Sequence, residues 1–188
     1  MENRGKKLRT VDLVYMALFA ALIAICSWIS IPATVEFTMQ TFAICFLTGL
    51  LGLRLGLWTV LCYLLLAAVG APVLAGFKGG IGAMLGPTGG YLVGFVFTAL
   101  AVGLGVRRFG RRLPALPLSM ALGILLCYAF GTAWFLFVYA KNSGPVSLGT
   151  ALGWCVLPYL LPDAAKIALA SMLVRRLHPI LQKNGGAP

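Results

Sequence analysis

Six apolar runs alternate with short polar or basic stretches along this chain of 188 residues. A membrane-spanning helix needs about 20 apolar residues to cross a hydrocarbon core of about 30 Å. The second and third runs are short for a full span, and a turn at Arg54 separates them. The pattern predicts an all-α bundle of six transmembrane helices, at about residues 13–31, 37–53, 56–69, 89–106, 116–139 and 150–177.

One stretch, residues 70–90, departs from this pattern. It reads GAPVLAGFKGGIGAMLGPTGG, which is apolar but dense in Gly and interrupted by Pro. Gly and Pro break helices, and irregular backbone at membrane depth survives only when it is buried in protein or lines a cavity. We therefore expect a Gly-rich outer loop between predicted helices 3 and 4 that folds back over the bundle.

The composition excludes a soluble or a disordered chain. Charged residues make up 10% of the sequence, hydrophobic residues make up 61%, and the mean hydropathy is +0.97. A soluble domain carries about 25% charged residues, and a disordered chain needs low hydrophobicity. Residues 1–188 are therefore predicted to form a single integral membrane domain.

The net charge of +11 is typical of nucleic-acid binding in a soluble chain. Here, however, the basic residues are concentrated in the tails and in the loops on one side of the predicted helices. With the amino terminus inside, only Lys78 and Lys141 lie outside. This bias predicts a multi-pass protein of the cell membrane with both termini cytoplasmic, including a basic tail at residues 1–10. The predicted surroundings are the lipid bilayer, and no nucleic acid is expected as a partner. Twelve basic residues lie on the inner side: Arg4, Lys6, Lys7, Arg9, Arg54, Arg107, Arg108, Arg111, Arg112, Arg175, Arg176 and Lys183.

Catalytic and metal-binding motifs are missing from the sequence. It contains no G-x-x-x-x-G-K-[ST], H-E-x-x-H or G-x-S-x-G pattern. The single histidine, His178, falls in the inner tail, and the five cysteines lack metal-ligand spacing. We expect neither an enzyme nor a resident cofactor or metal.

Two charged residues, Asp163 and Lys166, fall inside predicted helix 6. A charge at the bilayer centre costs about 2.5–3.5 kcal/mol on insertion scales, and such residues are usually functional. Residues three apart share a helix face and can pair, and Tyr159 lies on that face one turn earlier. The pair is interpreted as a polar ligand site, with a structural ion pair as the alternative. Pro158 and Pro162 are expected to kink the helix and free carbonyl groups near the site.

A second candidate is GPTGGYLVGF at residues 86–95. Thr88 and Gly89 open predicted helix 4, whose free N–H groups and positive dipole end would suit a carboxylate or a polar ring. Gly90 and Gly94 form a G-x-x-x-G pair, which equally fits plain helix packing. Lys78 lies upstream on the same side, as a ligand partner or as a solvated loop cation.

Predicted helix 1 carries a stripe of small residues that includes Ala17, Ala21 and Ala24. Small stripes let helix backbones approach closely. The stripe is therefore a candidate for docking a partner helix in the membrane. Contact with the protein's own helices is the alternative.

Together these segments resemble the BioY family, the biotin-specific S component of energy-coupling factor (ECF) transporters. The likeness rests on ALFAALIA at residues 17–24, TMQT at 38–41, LLLAAVGAPVLAGFKGG at 64–80, GPTGGYLVGF at 86–95, GTAW at 131–134 and PDAAK at 162–166. It covers nearly the whole chain. GPTGGY together with D-x-x-K in the last helix is its most specific part.

The resemblance implies a six-helix S component that binds biotin in an outward-open pocket. It also implies a membrane T component and two cytoplasmic ATPases that supply the energy, with helix 1 facing the T component. The family's binding residues carry over to Asp163, Lys166, Tyr91 and Gln40. The chain departs from the family pattern at Lys78, where some members have Asn, and at Pro162, where Gly is frequent.

Rival interpretations stay open at this stage. An S component for another vitamin shares the architecture and differs only in its pocket residues. An ion-coupled carrier would use Asp163 as a proton site and need no ATPase. A structural membrane subunit would bind no ligand. The sequence also leaves undecided which end of biotin points inward.

Overall fold

The computed structural model describes residues 9–33 and 35–183, and these residues are largely helical. Much of the predicted basic tail (residues 1–8) and Thr34 lie outside this part. Short 3₁₀ turns occur at Ala75–Phe77 and Leu157–Tyr159, and a two-residue antiparallel pair joins β1 (Ser30–Ile31) to β2 (Phe37–Thr38). The helices are α1 (Thr10–Trp28), α2 (Gln40–Val69), α3 (Ile81–Met84), α4 (Gly89–Phe109), α5 (Ala115–Ser143), α6 (Leu148–Cys155) and α7 (Leu160–Lys183).

Helix α2 folds back on itself at Gly52, whose φ of 81° lies in the region that favours glycine. A Cβ atom at Gly56 would lie 2.8 Å from Thr48 Cγ2, whereas eight residues of straight helix span about 12 Å. Gln40 and Tyr63 also meet, at 2.7 Å. The two arms of α2, residues 40–51 and 53–69, therefore run antiparallel. They correspond to predicted helices 2 and 3, with the turn at Gly52 rather than at Arg54.

The all-α membrane fold is confirmed. Within the described residues, five helical stretches are long and apolar enough to cross a membrane. One of the five is α2, so separate counting of its two arms gives six helical segments in the order of the six predicted helices. The Gly-rich stretch between α2 and α4 contains a 3₁₀ turn and the short α3, and its Leu74 and Ala75 are buried.

Predicted helix 6 is broken, and the break lies at Pro158. Helix α6 ends at Cys155, and α7 begins at Leu160 after the 3₁₀ turn. Pro162 then lies near the start of α7, where a missing N–H is tolerated. The disruption expected at Pro158 is confirmed as a break between two helices. It places Asp163 in the first turn of α7, where the positive end of the helix dipole favours a carboxylate.

The loops gather at two ends of the bundle. At the pocket end, defined by residues 29–39 and 70–88, Trp28 donates to the Pro72 carbonyl at 3.0 Å. At the opposite or basic end, Arg111 donates to the carbonyls of Gly49 and Leu50 at 2.8 and 2.9 Å. This guanidinium therefore satisfies carbonyl groups at the end of the first α2 arm.

The hairpin of α2 yields a stability prediction. Gly56→Val should lower the thermal unfolding midpoint, because the added atoms meet the backbone and side chain of Thr48, and overpacking costs about 1–3 kcal/mol. Circular dichroism during heating in detergent measures the change. Gly153→Ala is the control, since a Cβ atom at Gly153 meets nothing within 4 Å. Equal midpoints for the two variants would contradict a close approach of the two arms.

The two ends also yield a topology prediction. A cysteine introduced by Lys78→Cys should react with a membrane-impermeant thiol reagent added outside intact cells, and one introduced by Gly110→Cys should react only after lysis. Four of the five native cysteines are buried, and Cys62 is partly exposed, so it sets the native background. The parent chain is the labelling control. The reverse pattern would place the basic end outside and overturn the charge-based orientation.

Candidate functional site

A cavity of about 260 Å³ opens at the pocket end between the loops and the helices α2, α4, α5 and α7. Ligand pockets usually measure about 300–1,000 Å³, so this cavity suits a small molecule. Leu74, Leu92 and Phe95 contribute apolar wall. Seven of the residues that the sequence singled out line the same cavity: Gln40, Lys78, Thr88, Tyr91, Tyr159, Asp163 and Lys166.

A buried ion pair between Asp163 and Lys166 forms the charged part of the wall. The two residues are only 4% and 6% exposed, and Lys166 Nζ lies 2.7 Å from Asp163 Oδ1. The ammonium group also donates to the Thr38 carbonyl at 2.7 Å and to Thr41 Oγ1 at 3.2 Å. It lies 4.0 Å from the centre of the Phe37 ring, a favourable cation–π geometry. All three ammonium hydrogens therefore have acceptors.

The Asp163 carboxylate is held from two further sides. The Tyr128 hydroxyl donates to Oδ2, and the Thr41 hydroxyl donates to Oδ1 at 3.2 Å. Tyr128 was not predicted, because it lies in the apolar run GILLCYAF, where no polar spacing marks it. Thr41 belongs to the TMQT segment, in which only Gln40 was singled out.

Gln40 is fixed by the fold of α2. Its Nε2 donates to the Tyr63 hydroxyl oxygen at 2.7 Å, and its Oε1 accepts from Thr38 Oγ1 at 2.9 Å. Tyr63 in turn donates to the Val73 carbonyl at 2.9 Å. This chain of bonds joins both arms of α2 to the Gly-rich loop and sets the amide orientation at the cavity wall.

Two tyrosines complete the polar wall. The Tyr159 hydroxyl donates to the Val35 carbonyl, and its ring stacks on Phe37 with centroids 6.0 Å apart. Tyr91 Oη lies 3.0 Å from Thr132 Oγ1. Each phenol therefore has a hydrogen-bond partner within the protein, and the aromatic rings give the cavity flat apolar surfaces.

The start of α4 differs from the prediction of a donor-rich helix end. Thr88 lines the cavity, but the Gly89 N–H donates to the Gly86 carbonyl at 3.0 Å and the Tyr91 N–H to the Thr88 carbonyl at 3.1 Å. Gly89 is buried and is not part of the cavity wall, because it packs against the Met84 carbonyl. The expectation that these N–H groups are free for a ligand is therefore corrected, since carbonyl groups of the loop already accept hydrogen bonds from two of them.

Gly90 and Gly94 serve close packing, the alternative that the sequence left open. Gly90 faces the Trp134 side chain, and a Cβ atom at Gly94 would lie 2.7 Å from Cys127 Sγ. Both neighbours are on α5. The glycines let α4 approach α5 closely, and this brings Tyr91 and Tyr128 to one cavity.

Lys78 lies at the mouth of the cavity. Its Nζ is 2.8 Å from Glu36 Oε1, and the two side chains are 60% and 31% exposed. This bridge joins the Gly-rich loop to the loop before α2. An exposed pair of this kind contributes little stability, so either partner is available for exchange with a ligand.

The alanine stripe of α1 is divided between two environments. Ala17 and Ala21 are exposed on the surface of the bundle. Ala24 is 6% exposed and packs in the core with Ala20. The candidate docking surface is corrected accordingly: Ala24 faces the protein interior and is removed from it.

The site offers a carboxylate acceptor beside an ammonium donor in a small, mostly apolar cavity. The hydrogen-bonding capacity of such a wall is complementary to a small ligand that carries both N–H and C=O groups. Across residues 9–33 and 35–183, no group of three or more His, Cys, Asp or Glu side chains is arranged to hold a metal ion.

Comparisons with known proteins identify the family of the chain. The sequence model of the BioY family matches residues 1–183. The probable biotin transporter BioY of Pyrococcus horikoshii is 37% identical over 172 residues, which cover 91% of this chain and 97% of that protein. The biotin transporter BioY of Thermotoga maritima is 35% identical over 167 residues, covering 88% and 95%.

A solved structure is also similar. It is the S component for biotin from an ECF-type ABC transporter, with a TM-score of 0.81 and 29% identity over 95% of each chain. These relatives are named as transporters or transporter components rather than enzymes. Since the family match extends over almost the entire sequence, the chain belongs to the BioY family.

Proposed function

We propose that this chain is the S component of an ECF-type vitamin importer and that it binds biotin in the cavity at the pocket end. The observation that carries the proposal is the buried Asp163–Lys166 pair on the wall of a small apolar cavity. The choice of ligand is supported by the relatives, which are named as biotin transporters, and by the similar solved structure, which is an S component for biotin.

The polar groups of the wall complement the ureido ring of biotin, which has two N–H donors and one carbonyl acceptor. A carboxylate accepts about four hydrogen bonds, and Asp163 accepts three within the protein. The remaining position on Oδ2 suits a ring N–H. Lys166 donates to the ring carbonyl in exchange for its longer bond, the one to Thr41.

The position of Lys78 supports one orientation of the ligand. The Asp163–Lys166 pair is buried, whereas Lys78 is exposed at the mouth. In this orientation the ureido ring points inward and the carboxylate of biotin meets Lys78, which exchanges its bond to Glu36. The aliphatic tail and the sulfur ring lie between Leu92, Phe95 and the tyrosine rings.

Transport energy enters through partner proteins in this proposal. The sequence contains no nucleotide-binding loop, and the similar solved structure is a component of an ECF-type ABC transporter. The proposed partners are a membrane T component and two cytoplasmic ATPases, with both termini of the chain on the ATPase side. The exposed Ala17 and Ala21 offer a smooth surface on α1 for the T component.

Removal of either charge should abolish most of the biotin affinity. Truncation of one partner of a buried charge pair costs about 2–5 kcal/mol, and about 1.4 kcal/mol is tenfold in affinity. Lys166→Met and Asp163→Asn should therefore weaken binding roughly thirtyfold or more, as measured by isothermal titration calorimetry in detergent. Lys141→Met is the control, since Lys141 is exposed and does not line the cavity.

The outcome that contradicts the proposed site is binding within about twofold of the parent in both charge variants. Copurification of a different vitamin with the parent chain would keep the architecture and change the ligand. Uptake that stops on collapse of the proton gradient and needs no ATPase would favour an ion-coupled carrier instead.

The docking surface on α1 is tested separately. Ala17→Trp and Ala21→Trp should block assembly with the T component and uptake while biotin binding stays unchanged, because both positions are exposed and neither lines the cavity. Copurification and calorimetry on one preparation measure both effects. Ala20→Trp is the matched contrast, since Ala20 is buried and its replacement should damage folding. Normal assembly of both exposed variants would exclude this surface.

A further inference from the structure

A second concave region lies toward the basic end, and its α7 residues begin two positions after Lys166. It is a groove of about 650 Å³ between the start of α5 and the second half of α7. Arg175 and Arg176 form part of its wall, and Pro117, Ala168 and Met172 form another part. None of these residues belongs to the proposed biotin site.

The polarity of the groove changes along α7. Arg175 lies seven positions after Ala168, a distance of about 10 Å along the helix. Along α7 the wall therefore passes from the guanidinium groups of Arg175 and Arg176 to Met172, Ser171 and Ala168, while Leu113 and Pro117 line the groove from the start of α5. Met172 is 47% exposed, so the apolar part opens on the outer surface of the bundle. A ligand that fits this wall is anionic at one end and apolar over the rest.

The positive charge of the groove has no acidic partner among the described residues. Every acidic side chain in that part of the chain is already engaged with a basic residue elsewhere. The three pairs are Asp12 with Arg9 at 3.6 Å, Glu36 with Lys78 at 2.8 Å and Asp163 with Lys166 at 2.7 Å. Within residues 9–33 and 35–183, Arg175 and Arg176 therefore have no carboxylate partner, and both are exposed to an anion from the surroundings.

We propose that this groove is a binding site for one anionic phospholipid. The phosphate of the headgroup binds between Arg175 and Arg176, since guanidinium groups match phosphate geometry. The acyl chains follow Met172 and Ala168 along α7 toward the middle of the bundle. Basic pockets between membrane helices commonly bind anionic headgroups.

A phospholipid fits this groove better than a soluble anion does. A free phosphate uses the two arginines but leaves the apolar wall exposed. The charge is confined to one end, and the apolar part faces the surface that the bilayer covers. This distribution matches the headgroup and chains of a lipid of the inner leaflet, where the basic end is expected to lie.

The test uses the full chain in nanodiscs of phosphatidylcholine that contain a minor fraction of phosphatidylglycerol. Native mass spectrometry of the released protein measures how much phosphatidylglycerol stays bound. The double variant Arg175→Gln/Arg176→Gln should retain about thirtyfold less than the parent. The matched control is Arg107→Gln/Arg108→Gln. Arg107 and Arg108 are also adjacent and exposed, but they lie in the last turn of α4 and outside the groove.

Ala168→Trp provides an independent arm, because it fills the apolar part and keeps both arginines. Reduced retention of phosphatidylglycerol in this variant, with the control pair unchanged, supports the proposal even if the double variant folds poorly. Equal losses of bound phosphatidylglycerol in the two double variants would indicate diffuse attraction to the basic surface and would contradict a specific site. Displacement of the lipid by inorganic phosphate, with no effect of Ala168→Trp, would show an anion site without lipid specificity and overturn the proposal as well.

Discussion

The buried ion pair of Asp163 and Lys166 is the constraint on which the rest of the pocket end depends. Two charges at membrane depth are costly, at about 2.5–3.5 kcal/mol each on insertion scales, and pairing alone repays this only when the remaining hydrogen-bonding capacity is also satisfied. The protein meets this requirement with the Thr38 carbonyl, the hydroxyls of Thr41 and Tyr128, and the Phe37 ring. These groups come from two separate parts of the chain, residues 37–41 and Tyr128 of α5.

The breaks in the helices follow from the same requirement. The turn at Gly52 brings the second arm of α2 back to the pocket end, so that Tyr63 holds Gln40 beside Thr41, which contacts both charges. The break before α7 places Asp163 at a helix start, where the dipole favours a negative charge. A bundle of unbroken helices would give these charges fewer partners, because regular helices satisfy their backbone groups internally. The irregular backbone lies where it lines a cavity.

The sequence was sufficient for the features that depend on composition and short spacing. Apolar runs gave the helices, and the three-residue spacing gave the pairing of Asp163 and Lys166. It did not reveal Tyr128, because a tyrosine within an apolar run has no periodicity that distinguishes it from a packing residue. It also misplaced the role of Gly89, since the path of the preceding loop decides whether helix N–H groups are free. Ala24 lies on the same stripe as Ala17 and Ala21, yet the packing of α1 buries it, and no local pattern fixes that rotation.

Positive and negative charges are nearly balanced at the pocket end. At the pocket end, Glu36 is bridged to Lys78, and Asp163 to Lys166, so a ligand approaching the mouth meets nearly balanced charge. In the proposed complex, an anionic ligand gains its attraction locally, by taking the place of Glu36 on the exposed Lys78, rather than from a long-range field. Exchange of Glu36 for a ligand carboxylate on Lys78 changes the free energy little, because exposed ion pairs contribute little stability. In the proposed complex, most of the binding free energy for biotin therefore comes from the apolar walls and from the buried Asp163 and Lys166.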